Sequence, residues 1–396
     1  MRSLNRLSPR TTTICWLVLF SAFGCNDSHA QKRLAGAGIS SELAKSAFDR
    51  IVKRIEQSQA ETLAGPGLIG VRGGVQVKAL QSGVHELQLP MPLQVDSQVP
   101  LAYGVHSPSH PASLEYQFQQ RDASNQVLVV TIQAKRGEQV TIEWAAVVLI
   151  GQPEPQAADP LPQSYCEATA CAQADATTIQ ELAEKLWPAD KAVEQYAHNI
   201  QNFVGSSKPR KPPRTLDALA ILESGNNAIC TANANLAVAL LRAKGIPARS
   251  LAVIPPTGQR LEMHRIVELE HNARRQYFDP SGLHATVPLQ PWQTVIMAKT
   301  TIADEQAAMV PRMGVAVGSP YGQEAEFPNG GLAFSGQDFF WTVGSPLAEF
   351  ASGETAYKLA IEAWAEFLKK GVLSAGQLDA VQATNESELA AKLGAK

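Results

Sequence analysis

Ala228-Ile229-Cys230-Thr231-Ala232-Asn233-Ala234-Asn235-Leu236 follows a Gly225-Asn226-Asn227 turn and opens a run of helical character that stops at Lys244-Gly245-Ile246-Pro247. The glycine and proline end a helix there, so Cys230 stands at the N-terminus of the helix they close. The positive end of the backbone dipole at that position favours a thiolate over a thiol. His264 comes later in a strand-like segment, and Asp279 follows at the end of the next one. Cysteine, then histidine, then aspartate is the chain order of one group of thiol acyl-transfer sites.

The stretch from Leu261 to Asp279 predicts a hairpin. Two strand-like runs flank His271-Asn272, and asparagine tolerates the positive φ that a tight turn needs. A turn centred between His271 and Asn272 sets His264 opposite Asp279, Ile266 opposite Tyr277 and Glu268 opposite Arg275. Directly opposed residues share a face with Cβ atoms about 5 Å apart. His264 and Asp279 then form an imidazole oriented by a carboxylate, and the Glu268–Arg275 charge match agrees with that register.

The block running from Cys230 through Leu241-Arg242-Ala243-Lys244-Gly245-Ile246-Pro247-Ala248-Arg249 resembles the core of the transglutaminase-like superfamily. His264 opening one strand and Tyr277-Phe278-Asp279-Pro280-Ser281 closing the next complete the resemblance, which covers about Thr178 to Trp292. More weakly, His85-Glu86-Leu87-Gln88-Leu89-Pro90-Met91-Pro92 is similar to the β-domain that often precedes this core in bacterial members. The resemblance implies an α+β, papain-like core with a Cys-bearing helix packed on an antiparallel sheet. It implies Cys230 as nucleophile, His264 as general base and then acid, and Asp279 as the group that fixes the imidazole tautomer. The Cys230 backbone N–H would meet the oxyanion. Relatives commonly carry a small residue and then an aromatic after the histidine, whereas Arg265 and Ile266 stand here.

Taken singly, a cysteine in an Ala-rich helix is a buried small hydrophobe and a histidine in a strand is a satisfied polar side chain. The ordered triplet inside the block argues for a site. Zinc shared by Cys166, Cys171, Cys230 and His264 is the alternative, but their spacings match no usual zinc pattern. Neither metal nor cofactor is expected.

The rest of the chain bounds the reading. Its 396 residues exceed one ordinary core. Net charge is −3, and the densest basic stretch, Lys208-Pro209-Arg210-Lys211-Pro212-Pro213-Arg214, is a Pro-rich loop, so nucleic acid is not expected as a partner. Arg2, Arg6 and Arg10 precede an apolar run from Ile14 to Phe20 too short to span a bilayer, which reads as an export signal. Either Ala22-Phe23-Gly24-Cys25 is a lipobox over 1–24, giving membrane attachment through a lipidated Cys25, or Ser28-His29-Ala30 ends an ordinary signal peptide at 30. In an oxidising compartment Cys166 and Cys171 are expected to form a local disulfide, which leaves Cys230 as the odd thiol.

Composition and periodicity divide the chain into a signal at 1–30 and a lead-in helix within 31–66. An antiparallel β-sandwich at 67–150 and a linker at 151–177 precede the core at 178–300, which the resemblance identifies as transglutaminase-like. A C-terminal extension at 301–396 carries a Gly-rich aromatic loop over Gly314 to Gly344 and an amphipathic helix over Glu354 to Lys370. The function expected is an exported thiol enzyme acting on amide bonds of a peptide or protein. Hydrolysis and transfer to another amine both stay open. The rival expectation is a non-catalytic envelope module that uses the same fold to bind peptide or cell-wall material. Oligomeric state is not legible.

Overall fold

Alternating β-branched and aromatic residues build the first half of the protein. A computed structural model describes residues 67–95, 97–109, 114–150, 160–205, 215–225, 229–254, 264–282, 287–290, 293–307, 330–335 and 339–346. The signal, the lead-in helix and the amphipathic helix read over Glu354 to Lys370 lie outside them. Six strands come first: β1 (Gly67–Ala79), β2 (Gly83–Pro90), β3 (Gln98–His106), β4 (Leu114–Gln120), β5 (Gln126–Ala134) and β6 (Gln139–Ile150). They form two antiparallel sheets, one with β6 between β1 and β3, the other with β5 between β2 and β4. Central β5 is buried continuously from Val127 to Val130, as a strand covered on both faces must be.

Helical periodicity then takes over. A 3-10 helix (Gln163–Cys166) leads to α1 (Thr177–Leu186), α2 (Val193–Gly205), α3 (Ala218–Ser224) and α4 (Cys230–Ala243). Pro188 disfavours helical geometry at the residue before it, and α1 ends at Leu186 with Trp187 already extended. Asp217 caps α3 by accepting from the Ala220 N–H at 3.0 Å, and Gly225 closes it at φ 97°. Helix α4 is buried without interruption from Thr231 to Arg242. Its alanines let α1, α2 and α3 approach on one side while β7 (Ala248–Ile254) and β8 (His264–His271) cover the other. Each buried leucine of α4 contributes roughly 1.5–3 kcal/mol.

With β9 (Arg274–Phe278) and β10 (Val295–Lys299) these strands make a four-stranded antiparallel sheet in the order β10-β7-β8-β9, followed by α5 (Ile302–Ala307). Strand β10 is an edge, and two side-chain amides from the N-terminal half cover it. Gln98 accepts from the Ile296 N–H at 2.8 Å and donates to the Ile296 carbonyl at 2.9 Å; Asn125 does the same to Lys299 at 2.7 and 2.8 Å. These pairs stand where another strand would otherwise add.

Three expectations are corrected. The stretch read as a linker is folded onto the core from residue 160: Leu161 N–H donates to Glu270 Oε2 at 2.6 Å, the Cys171 carbonyl accepts from Ala218 N–H at 3.0 Å, and Tyr165 is buried. Cys166 and Cys171 remain thiols. The first ends the 3-10 helix with its sulfur 3.4 Å from the Gly245 carbonyl, whereas the second is buried. Part of the aromatic Gly-rich segment is strand: β11 (Leu332–Phe334) and β12 (Phe339–Pro346) both pair with β1, on the edge that β6 leaves free.

Candidate active site

Helix α4 begins at Cys230 because Ile229 holds an extended backbone, φ −68° and ψ 159°, and passes its carbonyl to the N–H groups of Ala232 and Asn233. Ile229 is an unusual N-cap. It has no side-chain oxygen to offer the first turn, and it is 56% exposed. The N–H groups of Cys230 and Thr231 stand at the start of the helix, where no partner inside it is available to them. Ile229→Asp is expected to stabilise the protein by about 1 kcal/mol in thermal unfolding, as a proper cap. It should at the same time slow alkylation of Cys230, because the new carboxylate raises the thiol's pKa. A variant that is both more stable and equally reactive would show that the open helix end plays no part.

The imidazole comes from the first residue of β8. His264 Nε2 lies 2.9 Å from Asp279 Oδ2, with the histidine side chain 12% exposed and the carboxylate fully buried. The sulfur of Cys230 is hydrogen-bonded to the same ring, and with Nε2 on the carboxylate, Nδ1 is the nitrogen left for it. The second carboxylate oxygen accepts from the Ser281 N–H at 2.8 Å, and Gln201 of α2 donates to the Asp279 carbonyl at 2.8 Å. Asn233 donates to Ser281 Oγ at 3.1 Å, tying the cysteine's helix to the aspartate's turn. Asn233 lies three residues beyond Cys230 on the same helix face, so spacing alone could have nominated it. Gln201 left no such signal.

The register of the hairpin differs from expectation. Asn272 and Ala273 form the turn, at φ 52° and 57°, and the pairs are Val267 with Phe278, Glu268 with Tyr277, and His271 with Arg274. Moving the centre by one residue moves every pairing by two, which keeps each side chain on its face. His264 and Asp279 therefore still meet, diagonally, where β9 has already left the sheet. The Glu268–Arg275 agreement was misleading. Arg275 pairs with Glu270 and reaches Glu268 only at 3.8 Å, while the close partner of Glu268 is Arg249 of β7 at 2.5 Å. A two-residue turn of this kind is announced by Asn-Gly, and alanine in the second position hid it.

Charge settles on this group of side chains. Burial, the largest influence on Cys230, opposes ionisation, but the hydrogen bond and charge of His264 outweigh it, followed by the Arg265 backbone N–H and guanidinium. The thiol's pKa falls below its ordinary value. Burial likewise works against a charged His264, yet the hydrogen bonds to Asp279 and Cys230 and their negative charges raise it to about 9. Both shifts favour the thiolate–imidazolium form of the pair. No group of three or more His, Cys, Asp or Glu side chains among the described residues is disposed to hold a metal ion.

A cysteine at an open helix end, a histidine on the adjacent sheet and a buried carboxylate behind it define the papain-like class of α+β fold. Residues 176–285 match the family model of the transglutaminase-like superfamily. The structure is similar to that of a proposed cysteine protease from Cytophaga hutchinsonii, with a TM-score of 0.53 and 14% identity over 72% of this chain and 92% of that one. No curated protein matches the sequence.

Proposed function

We propose that the protein is a thiol enzyme that cleaves or exchanges amide bonds, with Cys230 as nucleophile, His264 as acid and base, and Asp279 as the group that orients the imidazole. The observation that carries this reading is the continuous chain from sulfur to imidazole to buried carboxylate at an uncapped helix end. The thiolate attacks the amide carbon, forming a C–S bond, and the electron pair of the C=O moves to oxygen. The backbone N–H of Cys230, at the start of α4, stabilises that oxyanion. As the tetrahedral species collapses, the C–N bond breaks and His264 gives its proton to the leaving nitrogen. Water or a second amine then attacks the thioester, the neutral imidazole takes its proton, and the sulfur leaves as thiolate.

The basic n-region and short apolar run at the N-terminus support an exported protein acting on peptide or protein in the cell envelope, lipid-anchored if Cys25 is modified. Mass spectrometry after incubation with peptide libraries and primary amines tests the reaction. Cleavage, deamidation or amine incorporation is expected from the wild type and none from Cys230→Ala. Absence of all three, with Cys230 alkylated only in denatured protein, would overturn the enzymatic reading in favour of a binding module on the same fold.

A further inference from the structure

Arg265 follows the histidine directly and is 0% exposed. Desolvating a guanidinium is expensive, and a hydrocarbon side chain of similar volume would fill the same space without that cost. Its Nη1 donates to Ser250 Oγ at 2.9 Å and to Thr300 Oγ1 at 2.6 Å. Those two oxygens share a further hydrogen bond of 2.7 Å with each other. Ser250 belongs to β7 and Thr300 follows β10, so one side chain on β8 gathers three segments of the sheet beneath the site. Both of these hydroxyls hold the guanidinium in place.

The backbone of the same residue touches the chemistry. Strand β9 pairs with β8 only from Val267 onward. At Arg265, where β9 has already departed, the N–H donates to the Cys230 sulfur. We infer that Arg265 is a positioning residue of the site: its guanidinium pins the start of β8 so that imidazole and Arg265 N–H both meet the sulfur, and its permanent charge helps to stabilise the thiolate. The inference rests on the reading of Cys230 as nucleophile. Among the described residues, the charges that act on the sulfur are those of His264 and Arg265 of β8, with Asp279 behind the imidazole. Other charged groups on the packed elements are engaged elsewhere, Arg242 of α4 with Glu305 of α5 and Arg249 of β7 with Glu268.

The test is the rate of iodoacetamide alkylation of Cys230 against pH in the full chain, for wild type, Arg265→Gln and Arg265→Lys, with thermal unfolding alongside. Glutamine can still donate to the Ser250–Thr300 pair but is neutral. It should move the acid limb of the profile to higher pH by about one unit, a tenfold slower reaction at a fixed pH on that limb. Lysine keeps the charge and should stay within about threefold of wild type. A folded Arg265→Gln protein with the wild-type profile overturns the inference, as do equal shifts in the two variants, which would mark a packing role alone. Should the glutamine variant not fold, lysine decides: a near-wild-type profile upholds the assignment, and one like that of an ordinary thiol rejects it. Wild-type Cys230 that reacts only after denaturation would sink the enzymatic reading and this inference together. Native reactivity indifferent to Arg265 sinks the inference alone.

Discussion

His264→Ala should lower kcat/KM by about 10²- to 10⁴-fold, the range supplied by a positioned acid–base, and should also remove the rapid alkylation of Cys230 at pH 6. The two losses share one cause. The imidazolium is what brings the sulfur's pKa down against burial, so deleting it leaves a desolvated thiol that ionises less readily than usual. Asp279→Asn should cost less, about 10²-fold, because the carboxylate acts through the ring and does not touch sulfur.

The pH dependence of the wild type follows from the directions of the two shifts. Lowering the pH protonates a thiolate whose pKa lies below the ordinary thiol value, which gives the acid limb. Raising it through about 9 removes the proton that His264 must give to the leaving nitrogen, which gives the basic limb. The kcat/KM profile should therefore be bell-shaped, with apparent pKa values that belong to the coupled pair. A profile that keeps rising past pH 9 would contradict the acid role of His264.

Arg242→Ala is expected to destabilise the core strongly, by about 3–5 kcal/mol in chemical denaturation. Arg242 is fully buried, and its guanidinium meets Glu305 through two bonds of 2.7 and 2.9 Å. The remaining donors go to the Ala248 carbonyl, at 3.0 and 2.8 Å, and to the Glu167 carbonyl at 3.1 Å. One side chain thus joins the end of α4, the start of β7, α5 and the segment before α1. Its loss leaves Glu305 buried with the Thr169 hydroxyl, 2.7 Å away, and no counter-charge from Arg242. Replacing both partners by apolar residues should recover much of the loss, since the penalty comes from the stranded carboxylate. A single variant within 1 kcal/mol of wild type would show that water or a rearranged partner takes up the charge.

Arg242 and Arg249 also show how far sequence reading reaches. The Leu-Arg-Ala-x-Gly-Ile-Pro-Ala-Arg stretch announced a helix end and a strand start, and both lie there, at Ala243 and Ala248. That its arginines are buried anchors, one on Glu305 and one on Glu268, was not legible. Their partners are far along the chain, and nothing local marks which acid a buried cation will meet. The same limit applies to β11 and β12, whose partner β1 lies at the other end of the described chain. Phe339-Phe340-Trp341-Thr342-Val343 has strand composition, but a strand is decided by the free edge it finds.

What the sequence determined by itself is local: the helix that starts at Cys230, the glycine and proline that stop it, the strands with their alternation, and the face on which His264 and Asp279 lie. Each follows from backbone preferences within a few residues. The turn centre escaped because Asn-Ala lacks the glycine that identifies such turns, yet an even shift in pairing preserved the face and so the contact. Only the tertiary structure decided what surrounds the sulfur: the Arg265 N–H exposed by the departure of β9, the Asn233–Ser281 tie, and the Gln201 bond from α2. Those contacts depend on where one strand leaves the sheet and where a distant helix packs, and the free energies that settle such questions are summed over the whole core, with no single stretch of residues to carry the signal.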